Sequence, residues 1–208
     1  FCSENNSISF QTVSQGKKKT LNLEGPWFFF WNTWLKPESV KEAFLNQDKI
    51  KTSIPFYWTT IENRKPLERN ITSVGIASLI TKITDFPENN NLTLKIGKVK
   101  SNYRAYIINT KGKVIKTFSR GEISKHKSQS IPYEGIDLIR FPKIKGKSFF
   151  ILIHFSNYHH FSGGIEEIPS IGLENDLKKS QNLTNFKNIF LLSILLLLSI
   201  YFLILSLT

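Results

Sequence analysis

Along "NLTLKIGKV", residues 91 to 99, Leu92, Leu94 and Ile96 alternate with Thr93, Lys95 and Gly97. That period of two predicts a strand with one face in a core. "LEGPWFFFW" (23 to 31) predicts a buried aromatic strand with Trp27 and Trp31 on one face, and "SVGIASLITKIT" (73 to 84) a β-branched one. "YRAYIIN" and "KVIKTF" flank "NTKGK", which reads as a hairpin turning at Gly112. "IDLIRF" follows, then "SFFILIHFSN" (148 to 157), apolar almost throughout and therefore central in its sheet. About eight strands at spacings of roughly ten residues predict an all-β fold, a sandwich or jelly roll. One helix is expected at "PESVKEAFLNQ", where Pro37 suits a first turn and Val40, Ala43 and Phe44 share a face.

The pattern changes at "IFLLSILLLLSIYFLILSL", Ile189 to Leu207, which has no charge, Gly or Pro. At 1.5 Å per residue it spans roughly 28 Å, close to the hydrocarbon thickness of a bilayer. It lacks the polar face that a helix lying on a soluble core would show. The expected organisation is a flexible tail over residues 1–16, a β domain over 17–177, a linker over 178–188 and a membrane helix over 189–207. Lys178, Lys179 and Lys187 all precede the helix, which by the positive-inside rule alone favours a cytoplasmic domain. The rule is weak for long translocated domains, so an extracytoplasmic domain is favoured, given a signal peptide before Phe1.

Composition adds less. The 208 residues suffice for one domain with a real core. The sequence holds 17 Phe and no Met, so residue 1 is expected to be a processed or cut N-terminus. Cys2 is the single cysteine; it is a candidate for a lipid anchor or an incidental residue in the tail. The net charge of +12 would suit nucleic acid, but the lysines are scattered, with small groups at Lys17 to Lys19 and Lys143 to Lys147. No nucleic-acid partner is expected. Asn-x-Thr sequons occur at Asn70, Asn91 and Asn182.

The search for chemistry centres on "HFSNYHHFSGGIEEIPSIG", residues 154 to 172, which holds three of the four histidines and a Gly-Gly pair. No GxSxG, P-loop or GxGxxG motif is present. Glu166 and Glu167 are adjacent, so on a strand they face opposite ways and do not converge on one bond. No enzyme activity, metal or cofactor is expected. The histidines read as loop groups at a sharp strand exit, with Gly163 and Gly164 taking backbone angles closed to other residues. A ligand rim is the alternative, since His and aromatic side chains at a sandwich end can contact a sugar. Asn157, His159 and His160 are then the expected contacts, and Trp58, after "IPFY", a stacking platform or a packed loop aromatic.

"LEGPWFFFWNTWLKP" (23 to 37) resembles the L-x-G-x-W-x-F-Y-W-x-x-L-L-x-P opening of the extracellular sensory domain of bacterial seven-transmembrane receptors with diverse intracellular signalling modules. "IPFYW" is similar to that family's V-P-x-x-W, "VGIASLITKI" to its Y-G-x-A-T-Y strand, and "HFSNYHHFSGGI" to its S-N-F-x-H-R-x-G-G-I. "SIGLENDL" is similar to the closing segment, so the landmarks run in order over roughly residues 21 to 177. Val74 and Leu79 stand in place of the family's Tyr residues, and Phe161 in place of its Arg. The resemblance implies a galactose-binding-like jelly roll, related to carbohydrate-binding modules and to the sugar-binding domains of glycosidases. Gly25, Trp27, Pro55, Gly163 and Gly164 are its structural landmarks here.

The function expected is therefore a ligand-binding extracytoplasmic domain of a membrane receptor, sensing a carbohydrate or other small molecule. Ile189 to Leu207 would be the first of several helices if the chain is a fragment. A surface binding or adhesion module on one helix, or a receptor remnant without output, is the alternative. The partners are the bilayer, the small ligand and, as an open option, a second copy of the chain.

Overall fold

The computed structural model describes residues 6–10, 20–46, 49–60, 71–87, 92–133, 135–142, 144 and 146–207. Cys2, Lys17 to Lys19 and the sequons at Asn70 and Asn91 lie outside the described residues. The strands are β1 (Ile8–Ser9), β2 (Thr20–Asn22), β3 (Trp27–Trp31), β4 (Ile50–Thr52), β5 (Phe56–Tyr57), β6 (Gly75–Thr84), β7 (Leu92–Ile96), β8 (Val99–Lys100), β9 (Asn102–Asn109), β10 (Val114–Arg120), β11 (Asp137–Arg140), β12 (Phe149–Asn157), β13 (Gly164–Ile165) and β14 (Ser170–Leu173). The helices are α1 (Val40–Leu45), entered through a 3₁₀ turn at Pro37–Ser39, and α2 (Glu174–Leu207).

One layer is a sheet in the order β10-β9-β12-β6-β3-β4, with β1 parallel to the end of β6. Facing it are a sheet β11-β7-β14-β2 and a small sheet β5-β13-β8. Trp27, Phe29, Trp31, Leu79, Ile83, Phe149, Ile151, Ile153 and Phe155 from the large sheet meet Leu21, Leu92, Leu94, Ile96, Phe56, Ile165 and Ile171 from the others in one buried core. This is a β-sandwich followed by an apolar helix.

β12 shows why its sequence does not alternate. Its odd residues enter the sandwich core. Phe150 and Leu152 point the other way, into a second cluster with Phe28, Ile80, Ile108 and the Val40 and Phe44 of α1. Both faces are covered, so all nine residues are buried. α1 can be short because its task is to lid this outer face, on which Phe44 meets Phe28 and Phe150 edge-on at 5.1 and 5.3 Å.

The structure departs from the expected elements at three places. The strand expected over 91 to 99 is two, because Gly97 breaks it. A Cβ there would lie 2.5 Å from Glu167, and the chain leaves the four-stranded sheet at β7 and enters the small one at β8. The tail is not flexible throughout: Ile8 is buried in the core, and Phe10 packs on Phe86 at 5.6 Å. The linker is not a separate segment, since residues 178–188 belong to the continuous helix α2.

α2 begins directly after β14, with Leu177 its buried residue and Glu174 and Asp176 in the first turn, where acidic groups complement the helix dipole. Among the described residues it is the one helix long and apolar enough to cross a membrane. Its span from Ile189 to Leu207 is exposed throughout.

Candidate functional site

The His-rich stretch leaves β12 and returns in β13, which pairs β5 on one side and β8 on the other. The three histidines of the stretch have different surroundings. His154 lies on the outer face of β12, buried, with its Nε2 2.9 Å from the Leu35 carbonyl. Burial pushes its pKa down to about 4, opposed by the bond to Leu35 and aided by the charge of Arg104. His159 is exposed on the loop, with Nε2 3.0 Å from the Ser130 carbonyl. His160 is half-buried. Among the described residues no group of three His, Cys, Asp or Glu is placed to hold a metal.

Asn157 is fully buried and closes the loop. Its Nδ2 donates to the carbonyls of Ser73 and His160, and its Oδ1 accepts from the His160 amide. The expectation of a ligand contact at Asn157 is corrected on that ground: its polar atoms are committed to backbone. Trp58 is corrected likewise. It is fully buried, stacked on Phe155 at 5.4 Å and edge-on to Trp31 at 4.9 Å, and its Nε1 donates to the Ser73 carbonyl. A ring enclosed on both faces offers no platform.

The Gly-Gly pair exists for space. A Cβ on Gly163 would stand 2.3 Å from the Trp58 ring, and one on Gly164 2.1 Å from the Phe56 carbonyl oxygen. The glycines let the returning chain press on Trp58 and pair with β5. Trp58 N–H donates to Gly163 O at 3.0 Å, and the hydroxyls of Thr59 and Ser162 meet at 2.8 Å. Of the remaining landmarks, Gly25 lies in the crossing from β2 to β3. Pro55 follows a cis bond and opens β5, and Trp27 is buried with Nε1 donating to the Leu23 carbonyl.

The loop turns a different ring outward. Phe161 is 78% exposed, against the half-buried Tyr57 at 5.8 Å. The Tyr57 hydroxyl donates to Glu166 Oε1 at 2.6 Å, and Glu166 Oε2 lies 3.6 Å from Lys100 Nζ. The bond to Glu166 raises the Tyr57 pKa, with burial and the carboxylate's charge adding to it. Glu167 leaves on the opposite side to pair with Lys95. An exposed ring beside a carboxylate, an ammonium and a phenol forms an amphipathic rim. It can pack on an apolar face of a solute while exchanging hydrogen bonds with hydroxyls around it. Sequence reasoning missed Phe161, Tyr57, Glu166 and Lys100 as a group. The available signal was a bulky ring next to Ser-Gly-Gly, where a turn needs none.

No family model matches the chain, and no curated protein matches it. Solved structures do. A glycosyl hydrolase family 2 member from Bacteroides cellulosilyticus matches over 74% of this chain and 20% of its own, at 8% identity and a TM-score of 0.50. A family 2 beta-galacturonidase from Eisenbergiella tayi, bound to galacturonate, matches over 74% and 24%, at 14% identity and 0.48. A beta-glucuronidase from Ruminococcus gnavus matches over 74% and 28%, at 12% identity and 0.45. The chain thus spans less than a third of the length of these proteins, and at such identities the likeness is one of fold. The expectation of no enzyme activity, drawn from the absence of motifs, is therefore corrected: this sandwich shares its fold with a fifth of the length of a glycosyl hydrolase.

Proposed function

We propose that this chain is a membrane-anchored carbohydrate-binding domain, a galactose-binding-like jelly roll that serves as the extracytoplasmic sensor of a receptor. Exposure of Phe161 over the Tyr57–Glu166 pair carries the binding reading, since an exposed ring beside hydrogen-bonding groups suits the two-sided chemistry of a sugar. The motif resemblance and the fold neighbours among glycosidases support the same class of ligand. The sensor reading is supported by the resemblance and by the junction: β14 passes into α2 without an intervening loop, so a shift of the sandwich reaches the helix. Binding biases such an output only as far as its affinity differs between two states of the receptor.

The test is a glycan array probed with the full chain in nanodiscs, uronic acids and galactosides included, beside Phe161→Ala. Selective retention of a glycan is expected, weakened about tenfold or more in the variant, as for a central aromatic contact. Glycan retention that Phe161→Ala leaves unchanged would remove the rim from the reading.

A further inference from the structure

At the other end of the domain, where the sandwich hands over to α2, a cleft of about 410 Å³ is lined by Leu92, Thr93, Arg140, Phe141, Leu173 and Glu174. Its size falls within the range of small-molecule sites, and its wall is mainly apolar with a few polar groups, as such sites are built. Leu92 starts β7, Arg140 ends β11 and Glu174 starts α2, so the cleft is shared by both sides of the junction.

The polar groups have a definite polarity. Arg140 Nε donates to Glu174 Oε2 at 2.8 Å, and Lys178 Nζ donates to Glu174 Oε1 at 2.6 Å. Both cations hold the Glu174 carboxyl below its usual range. Two cations surround one carboxylate, which leaves an excess positive charge. The guanidinium uses only its Nε in this contact, and its side chain is 81% exposed. Its terminal nitrogens form a fork suited to a carboxylate.

We infer that this cleft binds an amphipathic organic anion, its apolar body against Leu92, Phe141 and Leu173 and its carboxylate on Arg140. The anion comes from solution and not from the bilayer. Residues 174 to 188 put about 22 Å of helix between the cleft and the start of the apolar span. Because the ligand would touch Glu174 at the root of α2, it would act directly on the β14–α2 junction that a rim ligand reaches only through the sandwich. The inference does not depend on the rim.

The test follows the methyl NMR signals of Leu92 and Leu173 in the full chain, in phosphatidylcholine nanodiscs, during titration with 4-phenylbutyrate. Saturating shifts with a Kd of about 1 mM or tighter are expected. Arg140→Gln should raise that Kd about tenfold or more, and 4-phenylbutanol, which lacks the charge, should bind as weakly. Leu173→Trp should fill the cleft and block the probe. Lys41→Gln on α1, across the sandwich, removes a charge elsewhere and should bind as the parent does. No shift up to about 10 mM, or an equal Kd in Arg140→Gln, overturns the assignment. Shifts produced by phosphatidylglycerol nanodiscs without probe would overturn the soluble source.

Discussion

A histidine in a strand invites a functional reading, and His154 shows how surroundings decide against it. Its ring is parallel to Trp34 at 6.1 Å and edge-on to Tyr106 at 5.0 Å, with the Leu35 carbonyl as hydrogen-bond partner and Arg104 as the nearby charge. An imidazolium here loses hydration and faces a cation, so the folded-state pKa falls from 6.5 to about 4. Between those values the unfolded chain binds a proton that the folded chain does not, so stability falls as pH falls through that window. The full shift corresponds to a loss of order 3 kcal/mol. Unfolding followed by tryptophan fluorescence should show this loss between about pH 6.5 and 4. His154→Gln, whose amide nitrogen reaches the position of Nε2 and can still donate to Leu35 O, should flatten the slope above the carboxylate range whatever its own stability. Parallel curves would refute the assignment. That three histidines lay close in sequence was plain from the chain. That they separate was not, because β12 has two covered faces and His154 points to the outer one.

At the level of elements, the two layers are joined by polar contacts as well as by the core. Asp137 of β11, in the four-stranded sheet, accepts from the Tyr103 hydroxyl of β9 and, at 2.7 Å, from Arg120 Nε of β10. Asp137 and Tyr103 are buried, and the phenol is held far above its ordinary range by burial and by the carboxylate. Removing the carboxylate leaves a buried hydroxyl without its acceptor. Asp137→Ala is therefore expected to cost about 2–4 kcal/mol in denaturant unfolding, against about 1 kcal/mol for Tyr103→Phe. The double variant should cost less than their sum, because one bond is counted in both. Strict additivity would mean that the pair does not couple the layers. The strands of this clasp were legible: "IDLIRF" placed β11, and the Asn-Thr-Lys-Gly turn, with Gly112 at φ +83°, placed the β9–β10 hairpin. The clasp was not, since it depends on which strands face each other across the sandwich. The rim was hidden for a similar reason. Trp58 and Phe161 are both aromatic residues beside turns, and only the β5–β13 pairing decides that Trp58 is enclosed and Phe161 turned out.

For the molecule as a whole, two electrostatic arguments about orientation oppose each other. Lys178, Lys179 and Lys187 flank the apolar span on its domain side, which would retain that side in the cytoplasm if they acted as free charges near the bilayer. Lys178 is partly neutralised by Glu174, and both it and Lys179 sit at the root of α2, a few helical turns from the span. Lys187 alone adjoins Ile189. The charge rule describes short flanking loops, whereas a folded sandwich translocates largely regardless of its charge. The lysines therefore do not by themselves retain the domain in the cytoplasm, and the proposed function requires it outside, where the rim would meet external ligands. With Cys2 replaced by Ser, Phe161→Cys places a thiol at an exposed point of the loop. An impermeant maleimide should label it in intact cells, and a cysteine that reacts only after lysis would put the domain in the cytoplasm. That second outcome would leave the sandwich and its rim in place but remove the external ligands on which the sensor reading depends.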